Sequence, residues 1–230
     1  MQHRRATRLI VFALLLSASR ILAQSPSFSW RAAFGASHLP LSHWSDFFRA
    51  LSDNDAYEKD DVTLYPELAL HYHLNKHHTF GLGTELIKTF ASAKFSMPLF
   101  DENGNVTGFS PFRLDWKFQG IPISINYEYA FSGLSRHFRP AAGIGASYFV
   151  SKVEARTTGS FLPEQHNERT GRGYGVHAYL AVHTQIFKRL GLISRARYRY
   201  SDGMAFTDKP RDVKIEFTSF DFSFGLGWSI

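Results

Sequence analysis

Residues 220–230 set the pattern for the chain. Phe220, Phe222, Phe224, Leu226, Trp228 and Ile230 alternate with Asp221, Ser223, Gly225, Gly227 and Ser229. A period of two is the strand period, and here one face is large and apolar while the other is small or polar. The same alternation recurs upstream. Phe28, Trp30, Ala32, Phe34 and Ala36 oppose Ser29, Arg31, Ala33 and Gly35 in a first strand. Leu64, Pro66, Leu68, Leu70, Tyr72 and Leu74 form the apolar face of a second, and Phe80, Leu82, Thr84 and Leu86 that of a third. In the fourth, Phe112, Leu114, Trp116 and Phe118 lead, and past Gly120 the phase moves to Ile121, Ile123, Ile125, Tyr127 and Tyr129. A bulge at Gln119-Gly120 is expected to absorb that change. Apolar sets from Phe138 to Val150, Val176 to Ile186 and Leu192 to Tyr200 predict the fifth, sixth and seventh strands.

The final stretch makes eight. The fold class expected is all-β, an eight-stranded antiparallel up-and-down transmembrane β-barrel. Short turns at 75–78, 132–137 and 188–191 alternate with long connections at 38–61, 90–111, 152–173 and 201–212, the asymmetry of such barrels. Within the second long connection, Asp101-Glu102-Asn103-Gly104 signals a hairpin whose flanks could extend above the membrane. Pro66, Pro122 and Pro140 each remove a ladder donor and are expected at a rim or bulge.

The amino-terminal end belongs to a different class. Arg4, Arg5 and Arg8 precede the apolar run Leu9 to Leu16, and Ala23 is a small residue before a cut at Gln24. Residues 1–23 therefore read as a secretory signal peptide, and 24–230 as one barrel domain. The signal carries four of the 26 basic residues and no acid, leaving 22 against 20 acidic ones. That near-balance argues against nucleic acid as a partner. An exported chain with no Cys has no disulfides to lean on, so its strands must hold one another. Aromatic residues at 16% suit the interfacial girdles of a barrel.

The residues 223–230, with Gly225, Trp228 and Ile230 at its key positions, resemble the carboxy-terminal sorting signal of outer-membrane barrels, with Ile last where Phe is usual. Two further stretches, 118–127 (FQGIPISINY) and 138–145 (FRPAAGIG), resemble the outer-membrane β-barrel domain family, whose members are akin to the OmpX and OmpA barrels. The Ile-Pro of the fourth strand and the Arg-Pro…Gly of the fifth carry the match. The resemblance implies residence in the outer membrane, with outer-membrane lipid and the barrel-assembly machinery as partners. It implies little about activity.

Chemistry enters through the seventh strand. Arg195, Arg197 and Arg199 share one face. A charge on the lipid face near the midplane costs about 2–4 kcal/mol, so these three are expected in the lumen. There they need acids, and Asp221, Glu67, Glu85 and Asp115 are the candidates, with Asp221 placed beside Arg197 by hairpin register. A barrel of this size has a bore just wide enough for side chains to fill, so a sealed, salt-bridged core is favoured over a selective pore. His71, His73, His77 and His78 surround the first short turn but show no third metal ligand beyond Glu85, and no metal or cofactor is expected. Asp101, Asn103 and Asn105 imitate a calcium loop, but Val106 and Phe112 stand where Gly and Glu belong. Gly-x-Ser-x-Gly is absent, and no enzyme is expected. Trp44, Phe47, Phe48 and Leu51 fall on one face of a short helix that would dip into the outer leaflet, cap the barrel mouth or pack as a satellite core.

The resulting expectation is a small, monomeric outer-membrane barrel with a side-chain-filled lumen. Its role would be structural or in surface interaction, with an extracellular ligand met through long external loops. The alternative is a narrow channel or transporter for small or hydrophobic solutes.

Overall fold

The computed structural model describes residues 27–39, 57–60, 62–132, 138–159, 164–206 and 214–229. The signal segment, the loop residues Trp44, Phe47, Phe48 and Leu51, and the final Ile230 lie outside the described residues. Alternating sequences form strands throughout: β1 (Ser27–His38), β2 (Tyr57–Lys59), β3 (Val62–His73), β4 (His78–Glu85), β5 (Ile87–Phe100), β6 (Val106–Ala130), β7 (Phe138–Gly159), β8 (Gln165–Gln185), β9 (Leu190–Phe206), β10 (Lys214–Ile215) and β11 (Ser219–Ser229). Among the described residues there is no helix.

Every pairing is antiparallel. β1 pairs with both β3 and β11, which closes the sheet on itself. β4 and β5 keep a single register against β6, with Thr84 opposite Ile123 and Ile87 opposite Gly120, so they act as one strand. The ring is therefore β1, β3, β4/β5, β6, β7, β8, β9 and β11, an eight-stranded up-and-down barrel, with β2 and β10 as short additions. Pro66 and Pro122 flank the interruption at Leu86, where Leu86 N–H donates to the Pro66 carbonyl at 3.2 Å. They interrupt the ladder in the wall, not at a rim.

The polarity of the wall is inside out relative to a soluble barrel. Phe34, Phe224 and Leu180 are 67%, 63% and 67% exposed, while Arg197, Arg199 and Asp221 are 2% or less. The exposed large residues form a continuous apolar belt on every ring strand. A soluble monomer rarely exposes an apolar patch of more than a few hundred Å². The belt faces lipid, and the barrel is transmembrane.

The expected bulge at Gln119-Gly120 is absent. β6 pairs β7 without a break from Phe112 to Ala130, and the same parity points inward throughout. Phe112, Phe118, Ser124 and Glu128 are all buried, while Arg113, Lys117, Ile123 and Ile125 are exposed. What changes at Gly120 is the surroundings. Below it the outer face meets lipid and is apolar. Above it the strand leaves the membrane, so charged residues turn outward and aromatic ones inward. The segments read as loops at 152–173 and 201–212 are in part paired strand. β7 runs to Gly159 and β9 to Phe206, with Lys152, Glu154 and Arg156 on the outer face of the extended β7. Charged outer positions mimic loop composition although the backbone remains paired.

β5 and β6 form the longest extension, ending at the Asp101–Gly104 turn. Gly104 adopts φ +82°, a left-handed conformation that favours glycine. The Asp101 carboxylate accepts hydrogen bonds from the backbone N–H groups of Asn103 and Asn105 at 2.9 and 2.8 Å. These bonds, those from Asn105 foremost, hold Asp101 below the usual carboxylate range.

Two expectations follow. A Cβ on Gly225 would lie 2.5 Å from the Ala33 Cβ and 2.6 Å from the Ala32 carbonyl oxygen, at the seam where β11 meets β1. Gly225→Ala should lower the stability of the detergent-refolded barrel by about 1–3 kcal/mol in urea unfolding, and Ala33→Gly should recover part of the loss. At the hairpin tip, a lowered folded-state pKa means stabilisation that is present above the ordinary Asp value of 3.8 and lost as pH falls through the folded value. Hydrogen exchange at the Asn103 and Asn105 amides should accelerate on acidification relative to the intrinsic rate, and Asp101→Asn should remove that acid response.

Candidate functional site: the lumen

Alternation delivers one residue in two from each strand into the bore. β9 supplies Arg195, Arg197 and Arg199. β11 supplies Asp221, β3 supplies Glu67, and β4 supplies Glu85. Asp221 stands directly opposite Arg197 in the ladder, as the hairpin register predicts. Arg197 Nε donates to Asp221 Oδ2 at 2.7 Å, and Arg197 Nη2 donates to Glu85 Oε2 at 2.8 Å. Arg199 bonds the same Glu85 and lies 3.1 Å from Asp221. β4 and β9 are four places apart in the ring of eight, so the Glu85–Arg197 contact spans the full bore. Glu67 accepts from Arg195 on one oxygen and from Arg31 on the other.

Each arginine of β9 also lies against an aromatic ring. Arg195 faces Tyr179 at 5.4 Å, Arg197 faces Tyr65 at 5.7 Å and Arg199 faces Phe149 at 5.7 Å. Desolvated cation–π contacts of this kind are worth up to about 2 kcal/mol. The tyrosines fit because glycine stands opposite each of them across the ladder: Gly35 opposite Tyr65, and Gly143 opposite Tyr179. A Cβ at either glycine would collide with the ring.

Asp115 does not join this network. It lies in the extension beyond the apolar belt, on the outer face of β6, paired with Arg113 at 2.8 Å. Partial burial alone would raise its pKa, but the hydrogen bond and charge of Arg113 outweigh that and hold it below the usual range. It faces outward because Phe112 and Phe118, expected on the lipid face, turn into the bore.

Two charged residues absent from the expected set complete the bore. Arg31 is 3% exposed and Glu128 is also 3% exposed. Arg31 alternates with the outward Phe28, Trp30 and Phe34, so its inward face was legible. Glu128 alternates with the outward Ile123, Ile125 and Tyr129, so its inward face was legible as well. With them, among the described residues, four buried arginines (Arg31, Arg195, Arg197, Arg199) face four buried acids (Glu67, Glu85, Asp221, Glu128). The bore is charge-balanced, which a low-dielectric interior demands.

Above the ladder, toward the extensions, the bore turns apolar. Leu39, Ile87, Phe118, Phe149, Val153 and Phe217 pack there with almost no exposure. Phe217 precedes β11 and stacks on Phe149 at 5.8 Å; its backbone N–H donates to Ser201 Oγ at 2.6 Å. Below the ladder, at the short-turn end, a vestibule of about 590 Å³ opens between Ser29, His73, Thr79, Glu128 and His183. His183 Nε2 lies 2.8 Å from Glu128 Oε1. The histidines of the first turn are divided: His73 bonds Ser29 and Thr79 in the bore, whereas His78 bonds the Tyr127 hydroxyl at 2.7 Å. Among the described residues no group of three potential ligands is placed to hold a metal ion.

No family model and no curated protein matches the chain. Solved structures similar to it are small outer-membrane barrels of low sequence identity. Neisserial surface protein A is 13% identical over 90% of this chain and 100% of its own, with a TM-score of 0.48. A major outer membrane protein from Thermus thermophilus is 11% identical over 90% and 100%, with a TM-score of 0.48. Outer Membrane Protein W of E. coli is 13% identical over 90% and 100%, with a TM-score of 0.42. Residue roles do not transfer at these identities.

The ladder's expected behaviour is structural. Arg197→Leu leaves Glu85 and Asp221 with Arg199 as their remaining ion-pair partner, and should destabilise the barrel by about 3–5 kcal/mol in urea unfolding. Adding Glu85→Gln to that variant should cost less than the two single changes together, because the stranded charge is removed.

Proposed function

We propose that the protein is a sealed outer-membrane barrel that serves as a structural support for an extracellular interaction surface. The observation that carries this reading is the filling of the bore in two stacked sections. A cross-bore ion-pair ladder is topped by an apolar plug in which Phe118, Phe149 and Phe217 are at most 1% exposed. Eight strands leave a bore that side chains of this size occupy. The vestibule at the short-turn end meets the ladder as its floor.

The interaction surface is the paired sheet of β5 to β8 beyond the apolar belt. The β5–β6 tip exposes Met97, Phe100, Val106 and Phe109, flanked by the charged outer faces of β6 and β7. An exposed apolar cluster with a polar rim is the composition of a protein-contact site. The reading includes removal of residues 1–23, and insertion by the barrel-assembly machinery supported by the Gly225, Trp228 and Ile230 pattern. It takes the barrel to act as a monomer.

Conductance tests it. Protein refolded and inserted into a planar bilayer should give no steady single-channel current. Reproducible unit currents would overturn the sealed reading in favour of a narrow channel.

A further inference from the structure

The outer wall carries a feature that a uniform lipid-facing belt does not require. Across β6, β7, β8 and β9 it is recessed into an apolar groove of about 550 Å³. This is within the range of small-molecule sites. Ala146 forms the floor. Ile125 stands opposite it on one side and Val176 on the other, 64% and 57% exposed. Two tyrosines close the end nearer the extensions, and a third bounds the side beyond Val176. Tyr148 stands opposite Tyr174 with ring centroids 5.3 Å apart, and Tyr200 stands opposite Val176.

The groove lies where the wall changes chemistry. One ladder step beyond the Tyr148–Tyr174 pair, the outward positions are Val150 and Arg172, and the next step brings Lys152. Arg172 is exposed on this outer face. Tyrosine is an interfacial residue because its ring is apolar and its hydroxyl is wet. An apolar slot, a rim of phenols and a cation just outside match an amphiphile in that order: an acyl chain, an ester or glycerol region and an anionic headgroup.

We propose that this groove is a binding site for one anionic, phosphate-bearing membrane lipid, with an acyl chain over Ala146 between Ile125 and Val176 and its phosphate at Arg172. The lipid of the surrounding leaflet is the occupant because the slot opens only toward the face that the apolar belt gives to the bilayer. The charge of Arg172 gives the site a preference for a net anionic headgroup. This goes beyond the sealed-barrel reading and does not depend on it, since a conducting barrel would present the same wall.

The test is native mass spectrometry of the full chain, folded into phosphatidylcholine nanodiscs doped with a minor share of phosphatidylglycerol and released into detergent. The wild type should retain one phosphatidylglycerol in preference to phosphatidylcholine. Ala146→Phe fills the slot and should abolish retention, while heat-modifiable gel mobility shows that the barrel has folded. Arg172→Gln should keep a bound lipid and lose the headgroup preference. Ala32→Phe, on the outer face of β1, should retain lipid like the wild type. Equal retention by the wild type and Ala146→Phe overturns the proposal, as does a wild type that inserts and retains nothing. Failure to insert at all would instead sink the transmembrane reading on which the site rests.

Discussion

A guanidinium cannot rest against hydrocarbon. Three arginines at alternate positions of β9 therefore decide which way that strand faces, and through the ladder they decide the facing of its neighbours. Once Arg195, Arg197 and Arg199 point inward, Tyr198 and Tyr200 point out. Pairing with β11 then turns Phe220, Phe222 and Phe224 outward as well. The cost of misplacing these charges, about 2–4 kcal/mol each at the midplane, is comparable with the total stability of many domains once summed.

Inward charges create the second constraint, a narrow bore with little water to solvate them. The protein meets it with acids placed across the cylinder. Glu85 reaches Arg197 from the opposite wall, and Glu67 joins Arg31 to Arg195. Glycines supply the necessary space. Gly35 and Gly143 let Tyr65 and Tyr179 lie over neighbouring backbone, and those rings in turn face the arginines. In this core Glu67, Glu85 and Asp221 are each held by two arginines. The freer chemistry lies at the ends and on the outer wall, where the vestibule, the hairpin tip and the tyrosine-rimmed groove meet solvent or lipid.

The change of polarity along β6 ties the sheet to its surroundings. One inward parity holds from Phe112 to Glu128, yet the inward residues pass from aromatic to acidic. Inside the membrane, lipid selects an apolar exterior and leaves polar groups to the bore. Beyond it, water selects a charged exterior and aromatic residues seal the top. Equating apolar with outward must fail at that boundary, and it fails at Gln119-Gly120 and at Asp115.

The sequence by itself determined the number of ring strands, the outward set within the apolar belt and the pairing of Arg197 with Asp221. Each rests on local alternation or on the pairing of two strands that follow one another in sequence, and neither needs contacts across the bore. Tertiary structure alone decided which acid crosses the bore to which arginine, because Glu67 and Arg195 are 128 residues apart and meet only when the ring closes. It also decided that Phe217 folds over Phe149 as a lid, and that Ala146 becomes the floor of a groove. Those outcomes depend on the curvature and diameter of a closed cylinder, which no single strand carries.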